Sequence, residues 1–428
     1  MELITVLLFC LAITLAVVLD FSLIYALLCG VLIFSVYAKI KGFTGKAILQ
    51  MIYTGIKTPK NVIITFFFIG VLTALWRASG TISVIICYSL DLINPNLIVL
   101  MAFLLNCLVS ILIGTSFGTA ATMGVIAMTL GTAMGYSPAL LGGAILAGVY
   151  FGDRCSPIST SALLICDLTH TNIFDNIKQM LKTALIPFII TCCLYGGASF
   201  FNSGNGTVMD LQAVFSREMI LHWSAIIPAA LILGLSFFRV KVKLTMTISI
   251  VAAAILCLFL QHMDILRILQ ICITGYHAQD PEVASLLDGG GIVSMLKVTA
   301  IVAISSSYAG IFAGTGLLNN FQNSLEKLGE KVSPFFSILV ASTITSILAC
   351  NQTLSSMLTY QLCHKLEDDK TLAISMENSV IVISAWVPWS ITSVVPLTSI
   401  NAPSTSILYA FFLFILPIYT FFTKLRKQ

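Results

Sequence analysis

Sixty-one consecutive residues, Leu92 to Gly152, contain no Asp, Glu, Lys or Arg, and the run ends in Gly152-Asp153-Arg154-Cys155-Ser156-Pro157-Ile158-Ser159-Thr160-Ser161. A tract that long and apolar belongs in lipid or among other apolar helices. In lipid the backbone N–H and C=O groups must be satisfied within the segment, which favours helices. Charge placed at its end, beside a proline and a run of hydroxyls, reads as a helix interrupted inside a membrane, which is how transporters build binding sites.

The rest of the chain agrees: 58% of residues are hydrophobic, 9% are charged and the mean hydropathy is +1.01, against roughly 25% charged in soluble domains. The chain therefore reads as an all-α polytopic membrane protein. Helices are expected near 3–19, 21–38, 62–76, 81–94, 97–114, 120–134, 138–151, 182–201, 222–238, 243–261, 290–316, 334–362, 372–389 and 404–422. Several look like halves of broken helices, so about 11–12 transmembrane segments are expected. The first segment lacks a basic flank and a small-residue cleavage site, and Asp20 to Ala38 continues into another apolar run; it reads as a spanning helix rather than a signal peptide.

Twelve cysteines, among them Cys10, Cys87, Cys107, Cys192, Cys193 and Cys257, lie mostly in apolar runs without metal-ligand spacing and are expected to be reduced packing residues. Lys39, Lys41, Lys46, Lys57 and Lys60 crowd one connection, Arg239, Lys241 and Lys243 another, and Lys424, Arg426 and Lys427 the tail. The positive-inside rule assigns all three to the cytoplasm. No basic stripe suggests nucleic acid, no cofactor motif is present, and no P-loop, H-E-x-x-H or nucleophile with its base points to ATP-driven pumping or to an enzyme.

An internal repeat emerges when the halves are laid side by side. Ser110-Ile111-Leu112 opens a polar patch at Gly114, Thr115, Ser116, Gly118 and Thr119, and Ser346-Ile347-Leu348 opens one at Cys350, Asn351, Gln352, Thr353 and Ser355. Ser156-Pro157-Ile158-Ser159-Thr160 has a counterpart in Val387-Pro388-Trp389-Ser390-Ile391-Thr392, and Ala78-Ser79-Gly80-Thr81 resembles Ala313-Gly314-Thr315-Gly316. The expected organisation is N-terminal helices over 1–43, a first repeat over 44–200, a connecting segment with two helices over 201–284 and a second repeat over 285–428. Breaks at matching positions are the mark of an inverted-repeat secondary transporter with discontinuous helices.

Few polar groups fall inside the apolar tracts. Asp153 either binds a cation or a proton, or caps a helix at the interface, or pairs with Arg154; it is the candidate Na⁺ site. Arg77 is the one basic residue between Lys60 and Arg154 and reads as a structural counter-charge to Asp153 or Glu377, or as a ligand for an anion. Glu377 either enters the site or sits at headgroup level, and Asn378 beside it offers a carbonyl for a cation or amide hydrogens for a carboxylate. The hydroxyls Thr115, Ser116, Thr119, Thr122, Ser156, Ser159 and Thr160 either ligate a solute or satisfy backbone carbonyls. Trp386 and Trp389 flank Pro388 and either wall a solute pocket or belong to an interfacial belt. The five histidines share no spacing, and Asp167, Asp175, Glu367, Asp368 and Asp369 read as loop charges.

Four stretches resemble the NhaC-type sodium/proton antiporter family, part of the ion transporter superfamily that also includes malate/lactate antiporters: Leu75 to Ile82, Gly114 to Thr119, Phe151 to Ser159, and Pro388-Trp389 preceded by Glu377-Asn378. The resemblance implies a bacterial inner-membrane location and exchange of Na⁺ for H⁺, or cation-coupled exchange of an amino acid or small organic acid. It covers residues from about 60 to 420. The family usually reads G-D-K-x-S-P-L-S-D-T-T-N. In this chain the lysine is Arg154, the second aspartate is Thr160, and T-T-N is Ser161-Ala162-Leu163. The family's D-Q is Asn351-Gln352 and its E-D is Glu377-Asn378, so three expected carboxylates are neutral.

The expected site therefore gathers Asp153, Ser156, Ser159, Thr160, Thr115, Ser116, Thr119, Asn351, Gln352, Thr353, Glu377 and Asn378, with Arg77 and Arg154 as charge partners. Its expected partners are Na⁺ and H⁺ or a small organic solute, and the bilayer, with a second copy of the chain as a candidate.

Overall fold

The computed structural model describes residues 2–18, 21, 23–57, 59–90, 95–157, 159–201, 211–238, 240–316, 328–349 and 351–425. Asp20, residues 91–94, Ile158, Arg239, Cys350, Arg426 and Lys427, and the side chain of Cys10, lie outside the described residues. The first half runs α1 (Glu2–Val18), α2 (Leu23–Ile40), α3 (Gly45–Lys57), α4 (Lys60–Ala78), α5 (Thr81–Leu90), α6 (Ile98–Ile113), α7 (Ser116–Thr119), α8 (Val125–Ala133), α9 (Pro138–Cys155), α10 (Thr160–Thr169) and α11 (Ile173–Phe201). Next come α12 (Leu211–Ser216), α13 (Ile227–Phe237), α14 (Val242–Phe259), α15 (Ile265–Thr274), α16 (Pro281–Leu287), α17 (Gly291–Ser294) and α18 (Leu296–Thr315). The last are α19 (Pro334–Ala349), α20 (Gln352–Cys363), α21 (Asp369–Glu377), α22 (Val380–Ile383), α23 (Ile391–Ser399) and α24 (Phe411–Leu425). Among the described residues β pairing is confined to an isolated bridge between Tyr276 and Gly289.

By length and composition α11 and the run Gly291–Phe312 can each cross a membrane alone. Two further helix pairs are apolar and long enough only together, each a broken span or a re-entrant loop: Ile63–Ala78 with Thr81–Tyr88, bent by 62°, and Asp369–Trp386 with Ile391–Ser399, bent by 60°. Large apolar side chains such as Leu7, Leu11, Leu185, Ile189, Phe259 and Leu266 are exposed on the outer faces. A surface of that kind is unsuited to water and fits acyl chains.

The centre of the bundle is α9, buried continuously from Leu140 to Cys155 and packed along α6. Small residues make the approach possible. A Cβ on Gly152 would lie 2.3 Å from the Ser110 Cβ and 2.7 Å from the Cys107 carbonyl oxygen, so only glycine lets the two backbones close up. Ser110 Oγ then donates to the Val149 carbonyl at 2.6 Å. This contact fixes the position of Asp153 and Arg154, the next two residues, in the interior.

On one flank α1 and α2 form a hairpin that lays Phe9 and Phe34 against Tyr308 and Phe312 of α18, the Phe34 and Phe312 rings meeting edge-on at 4.5 Å. Its open end is tied by Lys41 Nζ to Glu2 Oε1 at 3.1 Å.

Several elements differ from the sequence expectation. The 334–362 helix is two helices, interrupted where the polar patch predicts, and the 372–389 helix is interrupted at Asn378 and Ser379. Helices α3, α10 and α15 were not expected: each is short, and the lysines of α3 and the polar start of α10 lower their mean hydropathy below that of a span. Asp167 consequently lies on α10, and Asp175 in the first turn of α11, rather than in loops. Glu367 is not a free loop charge either; its Oε1 takes a 2.7 Å ion pair from Lys424.

Candidate functional site

Four helix interruptions frame the interior, and each is closed by the side chain that the local sequence supplies. After α6, Gly114 adopts φ +70°, Thr115 is extended at φ −153° and ψ 130°, and its Oγ1 accepts from the Gly118 N–H at 3.2 Å. After α19, Asn351 is extended at φ −147° and ψ 148°, and its Oδ1 accepts from the Leu354 N–H at 2.8 Å. These are ordinary N-caps placed inside a membrane protein, satisfying donors that a broken helix exposes. The other two breaks also match: Ser159 caps α10 through the Ala162 N–H, and Ser390 caps α23 through the Thr392 N–H.

The break after α9 meets the end of α21. Asp153 is 4% exposed, while Arg154 and Glu377 are 0% exposed. Asp153 Oδ1 accepts from Ser159 Oγ at 2.8 Å, and Oδ2 accepts from Ser161 Oγ at 3.0 Å. Arg154 turns the other way. Its Nε donates to the Glu377 carbonyl at 3.1 Å, and its Nη2 donates to Asn378 Oδ1, to Thr183 Oγ1 at 3.3 Å and to the Met180 carbonyl at 3.4 Å. Those acceptors are all neutral. Asn378 is held in turn by donating from Nδ2 to Thr420 Oγ1 at 3.2 Å.

Glu377 stands out in this arrangement. Among the described residues neither Oε1 nor Oε2 has a hydrogen-bond partner, although both are buried. Asp153 and Arg154 are the charged groups whose fields reach it. An ionised carboxylate without donors at that depth is costly, so the site needs a proton or a cation to neutralise it.

The remaining expected residues divide. Ser116 lies against the Tyr150 hydroxyl, which donates to the Thr392 carbonyl at 2.6 Å and so ties the first half's breaks to α23. Ser156 Oγ donates to the Ile111 carbonyl at 2.7 Å, fastening the break after α9 to α6. Thr119 and Thr122 spend their hydroxyls on the Thr115 and Gly118 carbonyls of their own helix, the local role such residues often take. Gln352 Nε2 donates to the Ile381 carbonyl at 3.1 Å. Asn351 and Thr353 border a separate cavity.

Two expectations are corrected by this geometry. Arg77 is a counter-charge to neither Asp153 nor Glu377: its Nη1 donates to the carbonyls of Asp288 at 2.6 Å and Leu287 at 3.2 Å, near Gly289, between α16 and α17. Thr160 is exposed at the start of α10, and Ser161 takes the place beside Asp153 because a helix turn carries the intervening side chain outward. The Nε1 atoms of Trp386 and Trp389 donate to the carbonyls of Leu413 and Ile347, and Trp386 stacks on Phe414 at 4.7 Å.

Sequence reasoning passed over Tyr150, Ser161 and Thr183. Ser161 was within reach as the third hydroxyl of the Ser159-Thr160-Ser161 run. Tyr150 and Thr183 carry no local signal, since their partners lie 242 and 29 residues away.

An all-helical protein with an apolar outer surface, interrupted helices and two buried carboxylates, Asp153 and Glu377, is of the secondary-transporter class. The sequence model of the Na⁺/H⁺ antiporter family matches residues 2–167 and 148–424. The chain is 27% identical to the malate-2H⁺/Na⁺-lactate antiporter of Bacillus subtilis, over 82% of this chain and 77% of that protein. It is also 27% identical to the Na⁺/H⁺ antiporter NhaC of Alkalihalophilus pseudofirmus, over 86% and 82% respectively. A third relative is the arginine/ornithine antiporter ArcD of Halobacterium salinarum, 25% identical over 88% of this chain and 80% of that one. The chain belongs to the Na⁺/H⁺ antiporter family, a family of membrane transporters rather than enzymes.

Proposed function

We propose that this protein exchanges Na⁺ for H⁺ across the bacterial inner membrane, with two inverted repeats, 44–200 and 285–428, moving about the Asp153 and Glu377 site. The observation that carries the reading is the Glu377 carboxylate, fully buried and without a hydrogen-bond donor among the described residues. A proton or a Na⁺ ion relieves it, and because both act on the same charge they compete. Asp153 with Ser159 and Ser161 supplies oxygen ligands of the kind a hard cation takes. The equivalent capping of Thr115 and Asn351, and of Ser159 and Ser390, supports the repeat.

Arg154 takes no direct part in cation binding in this reading. Five bonds to neutral acceptors, one of them the Cys155 thiol, hold it, and it lowers the local negative charge to what a single monovalent ion offsets. The test is collapse of an imposed pH gradient by Na⁺, Li⁺ or K⁺ in proteoliposomes of the purified protein. Na⁺-dependent collapse that is lost in Asp153→Asn supports the reading; collapse with unchanged pH dependence in that variant defeats it.

A second reading, Na⁺- or H⁺-coupled movement of an organic acid or amino acid, is favoured by one specific observation: the open volume beside Asn351 and Thr353.

A further inference from the structure

The charge buried around Glu377 can be counted. Among the described residues the buried charged side chains are Arg77, Asp153, Arg154 and Glu377. Arg77 stands apart, bonded to the carbonyls of Leu287 and Asp288, and the carboxylate whose field reaches it is that of Asp288. The fields that reach Glu377 are those of Arg154 and Asp153. Lys178, Lys182 and Lys370 border an open cleft that Thr183 also lines, but they are exposed to water, which screens them. Two carboxylates and one guanidinium therefore leave the interior with a single negative charge in excess.

Asn378 keeps the excess at one. It is fully buried; its Oδ1 accepts from Arg154 Nη2, and its Nδ2 donates to Thr420 Oγ1. An amide satisfies the guanidinium N–H without cancelling its charge. The other acceptors of Arg154, namely the Glu377 and Met180 carbonyls, Thr183 Oγ1 and Cys155 Sγ, are also neutral. The positive charge of Arg154 thus stays available to the two acids. A carboxylate at 378 would pair with Arg154 and raise the excess to two.

Burial turns this count into a constraint, because an uncompensated charge away from water is costly. One monovalent cation makes the interior neutral, whereas none leaves it negative and two leave it positive. We propose that this protein exchanges one Na⁺ for one H⁺ without net movement of charge, and that Asn378, by holding Arg154 without neutralising it, sets that count. The count rests on the Na⁺/H⁺ reading above and adds its stoichiometry and its indifference to membrane potential. Asn378 is a positioning residue here, acting through Arg154.

The test is the balance point of flux in proteoliposomes of the purified full chain, with K⁺ and valinomycin setting the membrane potential. When flux stops, the Na⁺ and H⁺ ratios across the membrane should be equal at either sign of the potential. An exchange that carries one net charge would instead have its balance shifted about fiftyfold by a potential of about 100 mV. In Asn378→Asp the balance is expected to follow the potential, with the Na⁺ ratio at zero potential approaching the square of the H⁺ ratio. Thr183→Asp places a carboxylate at another acceptor of Arg154 and is expected to do the same, so it carries the comparison if Asn378→Asp does not fold by thermal melting. A wild-type balance that moves with the potential, or a balance that stays put in the folded carboxylate variants, overturns the proposal while leaving Na⁺/H⁺ exchange intact. Absence of Na⁺-dependent proton movement in the wild type sinks the exchange reading, and the count with it.

Discussion

The breaks at Thr115 and Asn351 have nearly the same backbone and cap geometry, yet the polar groups around the first are spent on neighbouring groups of the protein and the second borders open volume. In the first half, Ser116, Tyr150 and Ser156 bond to carbonyls or to each other, and the charged end of α9 is locked against α21. In the second half, Asn351 and Thr353 border a cavity between α3, α18 and α20. The same device thus serves two ends: one break positions charge and the other leaves room. The difference lies in residue size and charge, since the backbone is shared.

That contrast is open to test by substitution. The largest effect is expected at Arg154, where Leu would strand the Glu377 carbonyl, the Asn378 amide, Met180 and Thr183 in the interior; a loss of about 3–5 kcal/mol is expected, read as a fall in melting temperature. Melting at the wild-type temperature would show that the cluster is not a structural lock. Next is Ser161→Ala, which removes one of two hydroxyls from Asp153. Apparent Na⁺ affinity in the exchange assay should fall by the equivalent of about 1.5–3 kcal/mol, with melting little changed.

Gly152→Val drives a side chain into Ser110 and the Cys107 carbonyl, and about 1–3 kcal/mol of stability should be lost by separation of α9 from α6. A disulfide-free thermal melt in nanodiscs measures it. The smallest change is expected for Thr160→Ala: exposed and away from Asp153, it should stay within about 0.5 kcal/mol of wild type in melting and leave Na⁺ affinity unchanged. A large loss there would return Thr160 to the site and remove Ser161's claim.

Much of this architecture can be read in the residues themselves. Charge-free runs announce helices, and proline, glycine and hydroxyl clusters announce the breaks at Gly114, Ser156, Asn351 and Pro388, because interrupted backbone in lipid needs local polar groups. Asp153 and Glu377 stand out for the same reason, as carboxylates next to apolar sequence. Partners separated by hundreds of residues do not announce themselves. Arg77 looks like a counter-charge only until its carbonyl acceptors at Leu287 and Asp288 are seen, and Tyr150 looks like packing until Thr392 is found beside it. The face on which a hydroxyl falls just past a break is equally hidden, since the register of α10 depends on where its first turn begins; hence Thr160 was expected where Ser161 stands. Helix α3 was missed because Lys46, Gln50, Thr54 and Lys57 dilute its hydropathy; Gln50 and Thr54 border the cavity.

Binding of ²²Na⁺ to purified protein, titrated with protons and compared between wild type and Glu377→Gln, addresses the cation site most directly. Saturable binding that weakens as pH falls, and that is lost in Glu377→Gln while the variant still folds, is the expected result. Undiminished, pH-independent ²²Na⁺ binding in Glu377→Gln would contradict the assignment of the buried carboxylates to the exchanged ion.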